Sequence, residues 1–142
     1  MDNGLDIQIE LLVDLKSKEE EIMNFIKDKN FYPKRTYFVD DRNRDAKIFE
    51  QNLETLLNRV ILEQKIDMMI ISTEPKAHSL YLTWAMKHDI HILVDKPLIT
   101  EQSVSTHKEK LDIFHKDFNR ILEFEKQSPS VVTVNAQRRC HP

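Results

Sequence analysis

Hydrophobic residues follow two patterns along the chain, short continuous runs and longer stretches with a single apolar face. The runs predict strands at about 7–14, 37–39, 68–71, 90–94 and 131–134. The stretches between them have helical spacing and predict helices at about 18–29, 46–65, 75–88 and from 101–106 to 128. This alternation of strand and helix is typical of one doubly wound α/β domain with a parallel sheet.

Two local features refine this prediction. Ser17 and Glu20 have the spacing of a capping box, in which each side chain binds the other's backbone amide at the start of a helix. The run 68–71 is apolar throughout, which is typical of a strand covered on both faces. Because parallel strands end at the same edge, the polar residues that follow the runs 68–71 and 90–94 are expected to line one crevice.

Composition narrows the class of protein. The length of 142 residues corresponds to one domain, and the 40% hydrophobic and 32% charged content is that of a globular protein. A formal net charge of −3 gives no electrostatic reason to expect nucleic acid or an anionic membrane as partner. No apolar run approaches the ~20 residues of a membrane span, and no signal-peptide pattern is present. The lone cysteine, Cys140, permits no internal disulfide, so a cytoplasmic location is expected.

Charged side chains at the predicted strand ends are the candidates for chemistry. Asp14 ends the first run, where a carboxylate can accept both ribose hydroxyls of a nucleotide. A solvated strand-end or capping aspartate is the alternative. Lys16 and Lys18 follow closely enough to accommodate a phosphate instead, so the preference for a ribose hydroxyl is weak.

Lys96 follows the run 90–94 directly and is held by Pro97, which restricts the backbone. Its ammonium group could polarise a substrate oxygen or bind a carboxylate, a phosphate or a nicotinamide amide, with Asp95 orienting it as an ion pair. A surface lysine in a strand-to-helix loop is the alternative. His78 starts a helix beside the same crevice, either as a functional group or as a packing or capping residue.

Metal chemistry is not indicated by the sequence. It contains no HExxH motif, no paired cysteines and no carboxylate–histidine cluster, so no metal site is expected.

Two spaced motifs carry a resemblance to a known family. The segment 66–100 resembles the pattern D-x-V-x-I-x-T-x-P-x-x-H followed by G-x-H-V-L-x-E-K-P of the Gfo/Idh/MocA family of NAD(P)-dependent oxidoreductases. The end of the chain, 135–142, is similar to the family's N-x-R-x-x-P. The matching residues of the segment 66–100 are Asp67, Met69, Ile71, Thr73, Pro75, His78, His91, Ile92, Leu93, Asp95, Lys96 and Pro97.

The resemblance implies a Rossmann-like dinucleotide-binding domain with a set of site residues. In this family the lysine of the E-K-P motif contacts nicotinamide and substrate, so Lys96 is expected to be catalytic or to position the substrate. The same resemblance implies cofactor contacts at Asp14, Thr73, Pro75, His78, Asp95 and Pro97, and substrate or interdomain contacts at Asn135 and Arg138.

The chain departs from the family pattern at three points. The motif glutamate is Asp95, one methylene shorter, and Asp89 replaces the glycine expected before the strand, which aspartate's tolerance of the left-handed region allows. With Gly4 as the single glycine, the first strand with its G-x-G-x-x-G turn has no counterpart, and neither has the large C-terminal domain. We therefore expect residues 1–142 to be a partial dinucleotide-binding domain whose 3-2-1-4-5-6 sheet lacks its central strand and has two unpaired inner edges.

The resemblance implies hydride transfer between NAD(P) and a sugar, polyol or related hydroxyl compound in the parent enzyme. The cofactor is expected to be NAD or NADP, with NAD favoured by Asp14, and the parent is expected to be a homo-oligomer. The partial chain alone is expected to be inactive. The alternative is a degenerate, non-catalytic Rossmann-like module that binds a protein partner, which the scarcity of glycine and the charged helices favour.

Overall fold

The computed structural model describes residues 7–101 and 107–136. Within them the chain forms five strands and four α-helices in alternation, and every strand pair is parallel. The predicted α/β class with parallel strands is therefore confirmed. The segment 137–142, which contains the predicted site residue Arg138, lies outside the described residues.

The chain divides into two compact units. Unit 1 consists of residues up to 44 together with 50–65, and unit 2 consists of 45–49 together with the residues from 66 onward.

Unit 1 is built on a pair of parallel strands. Strand β1 (Leu12–Leu15) lies beside β2 (Thr36–Val39) and is connected to it by helix α1 (Glu19–Lys29), while helix α2 (Gln51–Glu63) follows β2. Leu53, Leu57 and Val60 recur at helical spacing along α2 and are buried, so they form the apolar face that its pattern predicts. The other buried hydrophobic residues of this unit are Ile26 and Val39.

The start of unit 1 differs from the prediction in two respects. Pairing begins only at Leu12, beside Thr36. Before these residues the backbone hydrogen bonds run from the Lys34 amide to the Ile9 carbonyl and from the Leu12 amide to the Arg35 carbonyl. The predicted capping box is wrong, since α1 has no side-chain cap and the Ser17 hydroxyl binds Asp41 instead.

Unit 2 contains a three-stranded parallel sheet. Its strands are β3 (Met68–Ile71), β4 (His91–Asp95) and β5 (Val132–Asn135), with β4 in the middle. Helix α3 (His78–Lys87) connects β3 to β4 and packs on both, and helix α4 (Lys108–Gln127) precedes β5 and packs on α3. The hydrophobic core of this unit is formed mainly by Ile71, Leu82, Ala85, Met86, Ile90, Ile92, Val94 and Ile121.

The prediction that the run 68–71 is covered on both faces is wrong. Side chains alternate along a strand, and in β3 only Ile71 is fully buried. Met68 and Ile70 point to the other face and remain 51% and 62% exposed. Strand β3 therefore has one open apolar face in the described structure.

The predicted helix 46–65 begins later than expected, at Gln51. Phe49 is not part of it, because its ring packs edge-on against Tyr81 of α3 at a centroid distance of 5.1 Å. Lys47 in turn lies 3.6 Å from the carboxylate of Asp117 on α4. The segment 45–49 is thus part of unit 2, held there by contacts that its own hydrophobic pattern does not reveal.

Each unit contains its own set of parallel strands. The order is β1–β2 in unit 1 and β3–β4–β5 in unit 2. The expected absence of a central strand stays a prediction.

Candidate functional site

The carboxyl ends of the three strands in unit 2 converge on the side chain of Asp95. The Ser72 hydroxyl, directly after β3, donates to Asp95 Oδ2 at 2.8 Å. The Asn135 amide, at the end of β5, donates to Asp95 Oδ1 at 3.0 Å. These two hydrogen bonds hold the pKa of Asp95 below its ordinary value, with that from Ser72 having the larger effect. The carboxylate thus ties together three strand ends.

A second connection is made by His78, the first residue of α3, whose side chain is completely buried. Its Nδ1 lies 3.1 Å from the carbonyl oxygens of Pro97 and Leu98, and its Nε2 lies 3.0 Å from the carbonyl oxygen of Thr73. The imidazole therefore joins the loop after β3 to the loop after β4.

Lys96 lies between these two anchors and is exposed. The Asp95 side chain fixes the backbone before it, and the contact from Pro97 to His78 fixes the backbone after it. The expected ion pair between Asp95 and Lys96 does not form, and the two carboxylate oxygens accept from Ser72 and Asn135 instead. No described residue lies within hydrogen-bond or ion-pair distance of the Lys96 ammonium group, so a charged group on an anchored loop faces solvent.

The other predicted site residues of unit 2 lie in the same two loops. Thr73 and Pro97 are exposed, and Pro75 is half-buried in the turn before α3, where its carbonyl oxygen accepts from the His78 amide at 3.3 Å. The structure therefore brings the predicted positions together in two loops that the buried His78 joins. Thr73 and Pro97 contact its ring, Pro75 binds its amide, and Asp95 and Lys96 precede Pro97 in the second loop, with Asn135 attached through Asp95.

Asp14 belongs to unit 1 and lies in the carboxyl half of β1. Its Oδ1 accepts the amide of Leu15 at 2.7 Å, while no hydrogen bond to Oδ2 is found among the described residues. One carboxylate oxygen is thus available to an incoming hydroxyl group. The predicted site residue Arg138 lies outside the described residues.

Ser72 is a functional candidate that the sequence analysis missed. The strand register pairs Ile71 of β3 with Val94 of β4, so Ser72, directly after β3, is level with Asp95. Asp95 in turn is paired with Asn135 of β5. A polar residue directly after each of three predicted parallel strands was the available signal, because such residues share one edge of a sheet.

The described residues provide neither a metal-binding cluster nor a helix suited to a membrane. No group of three or more His, Cys, Asp or Glu side chains there has an arrangement that could hold a metal ion. None of the helices described between residues 7 and 136 combines the length and the apolar composition needed to cross a membrane.

A parallel α/β fold with polar side chains gathered at the carboxyl ends of its strands defines a class of protein, the α/β domains that bind nucleotides at this edge. Comparison with known families identifies the member of that class. The family model described as an oxidoreductase family with an NAD-binding Rossmann fold matches residues 16–134. The chain therefore belongs to the Gfo/Idh/MocA oxidoreductase family, which confirms both the resemblance and the Rossmann-like fold class. No curated protein and no solved structure matches the chain.

Proposed function

We propose that this chain provides the nucleotide-binding part of an NAD(P)-dependent oxidoreductase. Its reaction is hydride transfer between the nicotinamide and a hydroxyl-bearing carbon of a sugar, a polyol or a related compound. The observation that carries this proposal is the Lys96 loop, in which an exposed ammonium group without a described partner is anchored on both sides at the carboxyl ends of the strands.

The chemistry of the proposed reaction explains why such a lysine is useful. When bound, the dinucleotide supplies the group that gives or takes the hydride. In the direction of reduction, a hydride adds to a carbonyl carbon, negative charge develops on the carbonyl oxygen, and that oxygen then takes up a proton from water to give the hydroxyl group. A fixed cation beside the oxygen would stabilise this charge in either direction of the reaction. The Lys96 ammonium group is suited to this role because it needs no rearrangement of an existing ion pair before it meets the substrate.

His78 supports this site indirectly in our proposal. Its ring is completely buried and its nitrogens already face backbone carbonyl oxygens, so it acts as a positioning residue for the loops of Thr73 and Lys96. Thr73, Pro75, Asp95 and Pro97 remain the proposed cofactor contacts in unit 2, and Asp14 is the proposed ribose contact in unit 1. Asn135 acts through the carboxylate of Asp95.

The 142-residue chain by itself is proposed to bind dinucleotide weakly and to lack turnover. Rossmann-type domains hold the pyrophosphate with backbone amides of a glycine-rich turn at a helix N-terminus. With Gly4 as its single glycine, this sequence contains no such turn. The remaining contacts are expected to give a dissociation constant of about 1 mM or weaker.

An NADH titration followed by amide NMR tests the proposal at such weak affinity. The expected result is saturable shifts confined to residues 14–17, 72–73 and 95–98. The matched control is Lys87→Ala, which removes a lysine from the exposed end of α3 and should leave the pattern unchanged. Shifts confined to other surfaces, or none at these loops, would contradict the proposed function, and a micromolar dissociation constant would contradict weak binding.

One observation favours the alternative of a module that binds a protein partner. Met68 and Ile70 form an exposed apolar face on a strand, and such faces are common at protein interfaces. The same NADH titration separates the two functions, since a binding module would show no response at residues 95–98. An Ile70→Thr variant with unchanged NADH shifts would show that this face is not part of the dinucleotide site.

A further inference from the structure

In unit 1 the carboxylate of Asp41 occupies a position in which an external anion could also be bound. The Ser17 amide donates to Asp41 Oδ2 at 2.9 Å, and the Ser17 hydroxyl donates to Asp41 Oδ1. The guanidinium group of Arg44 lies 3.9 Å from the same Oδ1. Two donors and a cation around one carboxylate form the kind of environment that also binds phosphate oxygens.

The location of Ser17 connects this environment to the cofactor. Ser17 comes three residues after Asp14, the proposed contact for the ribose hydroxyls. NADP differs from NAD by a phosphate on the ribose 2′-oxygen, and a cation beside the ribose-binding acid commonly accommodates that phosphate. The Ser17 donors and Arg44 are thus groups that a 2′-phosphate would be expected to use, and Asp41 already holds them.

The two lysines of this loop are also engaged by carboxylates. Lys16 forms an ion pair with Glu19, and Lys18 pairs with Glu21 at 2.7 Å, which raises the pKa of Lys18 above its ordinary value. Glu20 completes an acidic first turn of α1. The sequence left open whether these lysines hold a phosphate, and the structure shows that an incoming phosphate would have to compete with their glutamates.

We propose that Asp41 is a specificity-determining residue that occupies the 2′-phosphate position and so selects NAD against NADP. This inference rests on the proposed function, because it assumes that the ribose is held beside Asp14. It assigns to Asp41 a role that goes beyond the general preference expected from Asp14 alone.

The test uses two ligands that differ only in the place of their phosphate, adenosine 2′-monophosphate and adenosine 5′-monophosphate. Each is titrated into the wild-type chain and into Asp41→Ala, with the Ser17 amide as the NMR reporter. The variant should bind the 2′-phosphate about tenfold more tightly than the wild type, with no such gain for the 5′-phosphate. Asp41→Asn keeps the shape of the side chain, should fold, and should give a smaller gain in the same direction.

The control variant is Asp28→Ala, which removes an exposed carboxylate from α1 and makes the same change in net charge. It should give no gain for either ligand. Equal gains for both ligands, the same gain in Asp28→Ala, or no gain in either Asp41 variant would overturn the proposal. A gain as expected together with a failed NADH titration would retain the anion site at Ser17 and remove only the proposed oxidoreductase function.

Discussion

The two units differ in which charged groups at their strand ends have partners. In unit 2 the carboxylate of Asp95 is bonded by neutral side chains, and Lys96 faces solvent without a described partner. In unit 1 the cations are paired with carboxylates, while Asp14 keeps one oxygen without a hydrogen bond to the described residues. Unit 2 therefore presents a positive group, and unit 1 presents a negative one.

The two arrangements suit different chemical groups. A carboxylate can accept the hydroxyl groups of a ribose, whereas the oxygen of a carbonyl group that receives a hydride needs a cation to stabilise its developing negative charge. In each unit a serine hydroxyl also binds an aspartate, Ser17 binding Asp41 and Ser72 binding Asp95. The neighbours of a charged group therefore determine whether that group is available to a ligand.

The largest effect in this comparison is expected from His78→Ala in unit 2. The substitution removes a completely buried ring that contacts three carbonyl oxygens, so the free energy of unfolding should fall by about 2–4 kcal/mol. Urea unfolding measures this change. His115→Ala, at an exposed position of α4, is the control and should change stability by less than about 0.5 kcal/mol. Equal effects of the two substitutions would show that His78 does not anchor the loops.

Ser72→Ala should have the next largest effect. The loss of its hydrogen bond should raise the pKa of Asp95 toward the ordinary value and, because the bond is exposed to solvent, lower stability at neutral pH by no more than about 1 kcal/mol. Because the folded-state pKa is lowered, this stabilisation is present above the unfolded pKa of about 3.9 and is lost as the pH falls through the folded value. A carbonyl ¹³C titration of Asp95 measures the shift, and Ser79→Ala is the control. An unchanged Asp95 titration would show that the hydrogen bond from Ser72 does not set the pKa of Asp95.

A half-buried bond in unit 1 is formed by the Tyr37 hydroxyl, which donates to the carboxylate of Glu50. This bond raises the pKa of Tyr37 to about 12. Tyr37→Phe should lower stability by about 1 kcal/mol at neutral pH. The raised pKa means that this stabilisation is complete below about pH 10 and is lost as the pH rises toward about 12.

Wild-type and Tyr37→Phe stabilities, measured by urea unfolding between pH 7 and 12, should therefore approach each other in alkali. Tyr32→Phe, at a position that is 67% exposed, is the matched control and should show no such convergence. A constant difference between Tyr37→Phe and the wild type across this range would contradict the assignment.

The smallest effect is expected from Glu21→Gln, which breaks an exposed ion pair with Lys18. Surface pairs contribute little, so stability should change by less than about 0.5 kcal/mol and the change should vanish in high salt. The same variant frees one cation beside Ser17. If it alone gave a gain in binding of adenosine 2′-monophosphate equal to that of Asp41→Ala, the selective role would belong to the glutamates and not to Asp41.

Local pattern was sufficient to predict most of the fold. The run at 68–71 matches β3 in full, and the remaining strand and helix positions were found because apolar periodicity is a property of neighbouring residues. The segment 45–49 was misassigned to a helix, since what holds it is the contact of Phe49 with Tyr81, far along the chain. The expected coverage of Met68 and Ile70 failed for the same reason, because a strand's sequence does not state what packs on each face.

The candidate site was predicted in part. Lys96 and Asp95 were found because the family motif coincides with the end of a predicted strand. Their expected ion pair was wrong because the partners of Asp95 are Ser72 and Asn135, which come from the ends of the neighbouring strands. The hydroxyl of Ser72 lies 23 positions away in sequence and becomes adjacent only through the registry of β3 and β4. The engagement of Asp41 with Ser17, 24 positions apart, was likewise invisible to local pattern.

The central claim is that Lys96 is a free cation on a fixed loop and meets the nicotinamide end of the cofactor. The most direct measurement is the ¹³Cε signal of Lys96 during titration with NADH, with the signal of Lys87 as internal reference. The account predicts a saturable shift of the Lys96 signal and none of the Lys87 signal. A Lys96 signal that stays unmoved while amides elsewhere in the chain respond to NADH would contradict it.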